Sequence, residues 1–209
     1  MGLSVLIADD HELFREGLRS LIEDALGADE VRQAASLDEA LDMLSEGPAP
    51  DLLILDLRMP GVSGAEAFTA LRDAFPSTKI AVCSASEDRA DILAALSGGV
   101  HGYIPKSLSA KNIEQALNDV LGGRIYAPSA LGQRAATTTP DQRPLPTSVD
   151  GLTSRQKDVL TELMKGQSSK QIARALSIAE GTVKIHLAAI YRAAGVRTRA
   201  EAIAKLSAR

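Results

Sequence analysis

The sequence predicts an α/β domain built on a five-stranded parallel sheet, joined through a linker to a smaller all-helical domain. Three observations predict it. Within residues 1–124, short Val/Ile/Leu-rich runs alternate with segments of helical spacing. From Tyr126 to Gly151 both kinds of pattern vanish. Beyond that, residues 151–209 carry only helical spacing.

The first domain reads as five strand-then-helix units. The runs Leu3–Ala8, Val31–Ala35, Leu52–Leu55, Ile80–Cys83 and Gly102–Ile104 are too short for helices and rich in strand-forming residues. Apolar residues recur at helical spacing after each of them: Phe14, Leu18, Leu21 and Ile22; Leu37, Ala40, Leu41 and Leu44; Phe68 and Leu71; Ile92, Leu93 and Leu96; Ile113, Leu117, Val120 and Leu121. Repeated β-then-α units imply a parallel sheet with helices on both faces, and ligands at the carboxyl ends of its strands. The run Ala135–Pro140, with Pro144 and Pro146, has neither period nor bulk and reads as an exposed linker. Four helical pieces follow, at Ser154–Lys165, Ser168–Leu176, Glu180–Ala194 and Thr198–Leu206. Only Ser177-Ile178-Ala179 separates the second from the third, the tight connection of a helix-turn-helix. The expected boundaries are 1–124, 125–150 and 151–209.

Composition narrows the class. With 45% hydrophobic residues in 209, there is enough apolar mass for packed cores. A single Cys excludes an intramolecular disulfide or a multi-Cys zinc site and suggests a reducing compartment. No stretch reaches the roughly 18 apolar residues of a membrane span, so a cytoplasmic protein without a membrane partner is expected. The net charge of −4 argues against nucleic acid only until it is divided. Residues 1–150 hold 12 Lys/Arg against 23 Asp/Glu, whereas residues 151–209 hold 11 against 4. One domain is strongly acidic and the other basic, which makes an inhibitory contact between them plausible, though one screened at physiological salt.

The strand ends of the acidic domain concentrate chemistry. Asp9 and Asp10 end the first strand, Asp56 the third, Ser84 the fourth, and Lys106 follows the fifth. Three carboxylates at one sheet edge repel unless a cation neutralises them. Mg²⁺ and Lys106 are the two candidates, and Ser84 adds a hydroxyl. A nucleophilic carboxylate, a metal site, a lysine and a hydroxyl are what an aspartyl phosphate needs. A lone Asp after a strand is usually a turn or cap residue; it is the joint placement at four strand ends that favours chemistry. An aspartyl-nucleophile phosphohydrolase would carry a second Asp two residues after the first, where this chain has Arg58. No turnover of an outside substrate is therefore expected. His11 reads as a loop residue at the pocket rim rather than a ligand, since a hard Mg²⁺ site prefers oxygen. Cys83 reads as a buried, inert thiol.

Val5-Leu6-Ile7-Ala8-Asp9-Asp10-His11, Asp56-Leu57-Arg58-Met59-Pro60-Gly61, Ser84-Ala85-Ser86 and Gly102-Tyr103-Ile104-Pro105-Lys106-Ser107 together resemble a response-regulator receiver domain. The resemblance implies a flavodoxin-like sheet of order 2-1-3-4-5 with Asp56 as phosphoacceptor. It implies Mg²⁺ held by Asp10, Asp56 and the Arg58 backbone carbonyl, with Asp9 acting through water. Lys106 and Ser84 would hold the phosphoryl group, and Tyr103 would be an aromatic switch.

In the basic domain, the helix from Glu180 places Val183, Leu187, Ile190 and Ala194 on one face, with Tyr191 at its edge. The opposite face holds Gly181, Ile185, Ala188, Ala189 and Arg192, flanked by Thr182 and Lys184. So flat a face, bordered by cations, suits a DNA major groove, with Ile185 and Ala188 toward thymine methyls. A helical protein–protein module is the alternative. The stretches Leu152–Gln156, Ser168–Ala173 and Glu180–His186 resemble the LuxR-type helix-turn-helix, and the two halves together resemble NarL/FixJ-type response regulators. That implies Lys184, Ile185 and Ala188 facing bases, and Ser169, Lys170 and Thr182 near phosphates, with Arg192 reaching bases or phosphates. The expected protein is a two-component transcription factor with a histidine kinase partner, binding double-stranded DNA as a homodimer. Three departures stand out: Ala188 replaces a longer polar residue, Ala179 a Ser/Thr helix cap, and Ser177 a frequent turn Gly that tolerates positive φ. His186 is expected on the flank, nearer the packed face.

Overall fold

The computed structural model describes residues 2–62, 64–128 and 151–207. Five strands, β1 (Ser4–Ala8), β2 (Glu30–Ala34), β3 (Leu52–Leu55), β4 (Lys79–Ser84) and β5 (Gly102–Pro105), form one parallel sheet of order β2-β1-β3-β4-β5. Helices α1 (Glu12–Leu26), α2 (Leu37–Glu46), α3 (Gly64–Ala74), α4 (Arg89–Ser97) and α5 (Ala110–Leu121) connect and follow the strands. The strand period of two divides the apolar residues cleanly between two cores. Leu6, Ala8, Leu53, Leu55, Ile80 and Val82 face α2, α3 and α4. Val5, Ile7, Leu52, Ile54, Ala81, Cys83 and Ile104 face α1 and α5. This alternation explains why the central strands β1 and β3 are apolar almost throughout, whereas the edge strand β2 carries Glu30, Arg32 and Gln33.

Local chemistry sets the helix ends. Ser36, Asp88 and Ser109 cap α2, α4 and α5 by accepting from backbone N–H groups in the first turn. Gly27 ends α1 in the left-handed conformation, at φ 63°. The expected linker does not leave the sheet at once. The Tyr126 carbonyl accepts from the Tyr103 N–H at 2.9 Å and its N–H donates to the His101 carbonyl at 3.0 Å, so the chain first runs along the edge of β5. The Pro- and Thr-rich run, residues 135–146, lies outside the described residues.

The C-terminal unit comprises α6 (Ser154–Met164), α7 (Ser169–Leu176), α8 (Glu180–Ala194) and α9 (Arg199–Ser207) around Val159, Leu163, Ile172, Val183, Leu187 and Ile190. Reciprocal capping boxes start α6 (Thr153/Gln156) and α7 (Ser168/Gln171). Ser177 adopts φ 55°, the one non-glycine positive φ among the described residues, and Ala179 leaves α8 without a side-chain cap. Both follow from the departures noted in the sequence.

Candidate functional site

The sheet brings the strand-end residues together. The Asp9 N–H donates to the Ala34 carbonyl at 3.1 Å, that of Asp56 to Ala8 at 2.8 Å and that of Lys106 to Ser84 at 2.8 Å. Each ladder thus extends one residue past its strand and holds these three side chains at the carboxyl edge. Asp9 and Asp56 are buried, each 2% exposed, whereas Asp10 is exposed. Lys106 Nζ lies 2.6 Å from Asp9 Oδ2 and 3.0 Å from Asp56 Oδ2, and sits over the Phe14 ring at 4.5 Å. Burial alone would lower the Lys106 pKa, but its hydrogen bonds to Asp9 and Asp56 outweigh that and raise it.

Oxygens of Asp9, Asp10 and Asp56 and Nδ1 of His11 lie within 4.8 Å of one another. Three carboxylates with two of them buried fit a hard divalent cation such as Mg²⁺. His11, expected at the rim, is indeed 67% exposed, yet its Nδ1 reaches 3.0 Å from Asp10 Oδ1 and 3.3 Å from Asp9 Oδ1. The Arg58 N–H donates to Asp56 Oδ1 at 3.1 Å.

Beside this pocket, Ser84 is fully buried and its Oγ accepts from the Ser86 N–H at 3.1 Å. Tyr103 points inward, 0% exposed, and donates its hydroxyl to the Ser86 carbonyl at 2.7 Å. Sequence reasoning missed one network. Ser86 Oγ donates to Asp91 Oδ2 at 2.6 Å, and the Arg58 guanidinium donates to the same oxygen at 3.0 Å and to Ser86 Oγ at 3.3 Å. It ties the segment after β3 to the first turn of α4, and nothing in residue spacing announces it. The Cys83 thiol is buried, as expected, and its burial pushes its pKa up to about 12.

The second candidate surface departs from expectation. The strip of α8 expected to face DNA is covered by the acidic domain. Ile185, Ala188 and Ala189 are 0%, 7% and 2% exposed and complete the core made by α2, α3 and the sheet. Gly181 is pressed so closely on the loop after β3 that a Cβ there would lie 1.7 Å from the Gly61 carbonyl oxygen. Lys184 pairs with Asp38 of α2 at 2.7 Å, and Arg155 with Glu66 of α3 at 3.1 Å. Arg192 donates to the Ala74 carbonyl at 3.0 Å and lies over the Phe75 ring at 4.8 Å. Thr182 is buried, whereas Ser169 is half-buried and Lys170 exposed on α7. The reason for the difference is physical: a flat, apolar face bordered by cations suits an acidic protein surface as well as a groove. His186 is 3% exposed with neither ring nitrogen hydrogen-bonded; burial, helped by Arg155, lowers its pKa to about 4.

Residues 5–118 match the response regulator receiver domain family, and residues 150–206 match the luxR family of bacterial regulatory proteins. The chain belongs to the response regulators of two-component systems that carry a LuxR-type helix-turn-helix and regulate transcription. Among its relatives, it is 37% identical to the glycerol metabolism activator of Pseudomonas putida over 204 residues, covering 95% of this chain and 92% of that one. It is 33% identical to the nitrate/nitrite response regulator protein NarL of Escherichia coli K12 over 200 residues, with the same coverages. Among solved structures, a LuxR-family response regulator from Aurantimonas superposes with a TM-score of 0.57 at 32% identity, over 65% of this chain and 96% of that one. RcsB of Salmonella typhimurium, at 23% identity, shares the fold over 100% of this chain and 99% of its own, with a TM-score of 0.57. No described helix is long and apolar enough to cross a membrane.

Proposed function

We propose that Asp56 accepts a phosphoryl group from a partner histidine kinase, and that this releases α8 from the acidic domain to bind DNA as part of a dimer. The observation that carries the reading is the double role of one strip of helix. Ile185 and Ala188, whose small apolar side chains suit a major groove, pack instead against the domain that holds Asp56. The loop that begins with Asp56 reaches Gly181 through Gly61. In this reading the Asp56 carboxylate attacks phosphorus and forms an acyl phosphate, while the kinase histidine departs. Asp10, Asp56 and the Arg58 carbonyl would hold Mg²⁺, with Asp9 behind a water; the ion supplies charge neutralisation at the phosphoryl oxygens. Lys106 leaves its carboxylate partners for the phosphoryl group, Ser84 donates its hydroxyl to it, and Tyr103 holds the inward position. Lys184, Ile185, Ala188 and Arg192 then meet bases or phosphates, and Ser169, Lys170 and Thr182 meet phosphates. Two-fold dimers read paired half-sites. The reading divides the chain into a receiver at 1–124, a linker at 125–150 and a DNA-binding domain at 151–209. It places the protein in the cytoplasm and includes no turnover of an outside substrate.

The test is selection of bound DNA from a random pool by the full chain, with and without a small phosphodonor and Mg²⁺, repeated with Asp56→Asn. The expected result is tighter, salt-dependent binding with the donor, lost in Asp56→Asn, and a fixed half-site spacing among recovered sequences. Affinity indifferent to donor and substitution would mean an idle receiver. Binding indifferent to salt would point to a protein-binding module instead.

A further inference from the structure

His11 is where the pocket departs from an all-oxygen site. Its position is fixed from both ends. As the residue preceding α1 it starts the helix with extended backbone, φ −90° and ψ 99°, and its N–H donates to Asp9 Oδ1 at 2.9 Å. The ring then turns one edge inward. Nδ1 lies 3.0 Å from Asp10 Oδ1, 3.3 Å from Asp9 Oδ1 and 3.7 Å from Asp56 Oδ2. Lys106 holds Asp9 Oδ2 and also the Asp56 Oδ2 that His11 faces, so an ion bound between the carboxylates takes the place of its ammonium. Adjacent ligand atoms around an octahedral ion with bonds of about 2.1 Å stand roughly 3.0 Å apart, and around a tetrahedral one roughly 3.4 Å. The separations of 3.0 and 3.3 Å match those spacings, and the third, 3.7 Å, exceeds the tetrahedral one by about 0.3 Å and the octahedral one by about 0.7 Å.

We propose that His11 Nδ1 is a direct ligand for late first-row divalent ions in this pocket, so that Co²⁺ and Ni²⁺ bind through three carboxylates and an imidazole. The inference rests on the reading of the acidic pocket as a divalent-cation site and adds to it one nitrogen and a second class of ion. Imidazole favours these ions strongly over Mg²⁺, which keeps water in preference to nitrogen. With its side chain largely exposed, His11 swings aside at little cost when Mg²⁺ binds with its waters. The chain's other histidines are committed elsewhere: His101 Nδ1 accepts from the Ile80 N–H at 3.0 Å, and His186 is buried in α8.

The test is calorimetric titration of the full chain with MgCl₂, CoCl₂ and NiCl₂, for wild type, His11→Ala and Asp56→Ala, together with proton NMR of the Co²⁺-loaded protein. Replacing His11 is expected to weaken Co²⁺ and Ni²⁺ by about tenfold or more while Mg²⁺ changes less than about threefold. Wild type should show a paramagnetically shifted, exchangeable imidazole proton that His11→Ala lacks. Asp56→Ala should weaken all three ions. Equal losses for Mg²⁺ and Co²⁺ in His11→Ala, or no shifted imidazole proton in wild type, overturns the proposal and leaves the Mg²⁺ reading standing. Absence of Mg²⁺ binding, unaltered by Asp56→Ala, overturns both.

Discussion

Gly181→Ala separates the docked and open states by one methyl group. The new Cβ would lie 1.7 Å from the Gly61 carbonyl oxygen and 2.5 Å from its carbon, both backbone atoms that cannot rotate away. Restoring an ordinary contact of about 3.4 Å moves the start of α8 away by more than 1.5 Å, and a gap of even 0.5–1 Å forfeits a quarter to a half of each dispersion well. Burial of Ile185 and of the Ala188 and Ala189 methyls against the receiver is worth about 3–4 kcal/mol. Losing half of that, about 2 kcal/mol, shifts the docking equilibrium roughly 30-fold, taking 1.4 kcal/mol per factor of ten. The substitution also raises intrinsic helix stability by about 0.5–1 kcal/mol, so the helical domain should not loosen. The assay is fluorescence anisotropy with selected DNA, using unphosphorylated and phosphodonor-treated full chain. Unphosphorylated Gly181→Ala should bind roughly ten- to thirtyfold more tightly than wild type, with the two converging once phosphorylated. A folded variant whose unphosphorylated affinity equals that of wild type refutes the docking argument. A gain of equal size in both states would place the effect at the DNA instead.

Further outcomes follow from the same geometry. Lys106→Met removes the cation from two buried carboxylates and should cost about 3 kcal/mol in urea denaturation, much of it restored by millimolar Mg²⁺ if the ion takes over the neutralisation. His186 is held neutral, with its pKa lowered from 6.5 to about 4. Any state that solvates it binds a proton first as pH falls, so stability is full above pH 6.5 and declines toward pH 4 at up to about 1.4 kcal/mol per unit. Melting temperature followed from pH 7 to 5 should fall less steeply in His186→Phe than in wild type. Ser177→Gly relieves a left-handed residue and should stabilise the helical domain by about 1 kcal/mol. Ala179→Ser, which supplies the missing cap of α8, should add about 1 kcal/mol more, both read from thermal unfolding.

Most of the architecture was legible because strands and helices bury their apolar residues with different periods. The five strand runs lie within a residue or two of β1 to β5, and the expected helix Glu180–Ala194 matches α8 at both ends. Single residues were legible where backbone geometry admits few types: Ser177 does adopt positive φ, and Ala179 does leave α8 without a side-chain cap. The meeting of Asp9, Asp56 and Lys106 followed from their common place at strand ends, since parallel strands put all such ends on one edge. The Ser86–Asp91–Arg58 network was not legible, because it joins segments far apart in sequence that share no period. The opposite charges of the two domains made docking of one on the other plausible, but which residues of α8 it would cover was not legible. Helical spacing showed two apolar faces but not what the second would meet, and Ile185 reads the same beside a thymine methyl or a leucine. His11 was placed correctly at the rim, but no pattern in sequence tells which way an imidazole turns.

If Ile185 and Ala188 face bases as proposed, their burial in the receiver's core has a consequence for how such a regulator changes over generations. A substitution that alters base preference at these positions also alters the strength of the resting contact. A larger residue at 188 would gain reach in the groove and lose its fit between α2 and α3, raising basal output. On the proposed reading, target choice and background expression are set by the same few side chains. A new operator is reached only together with a compensating change on the acidic domain. On that reading the bare methyl of Ala188 is a compromise between two surfaces.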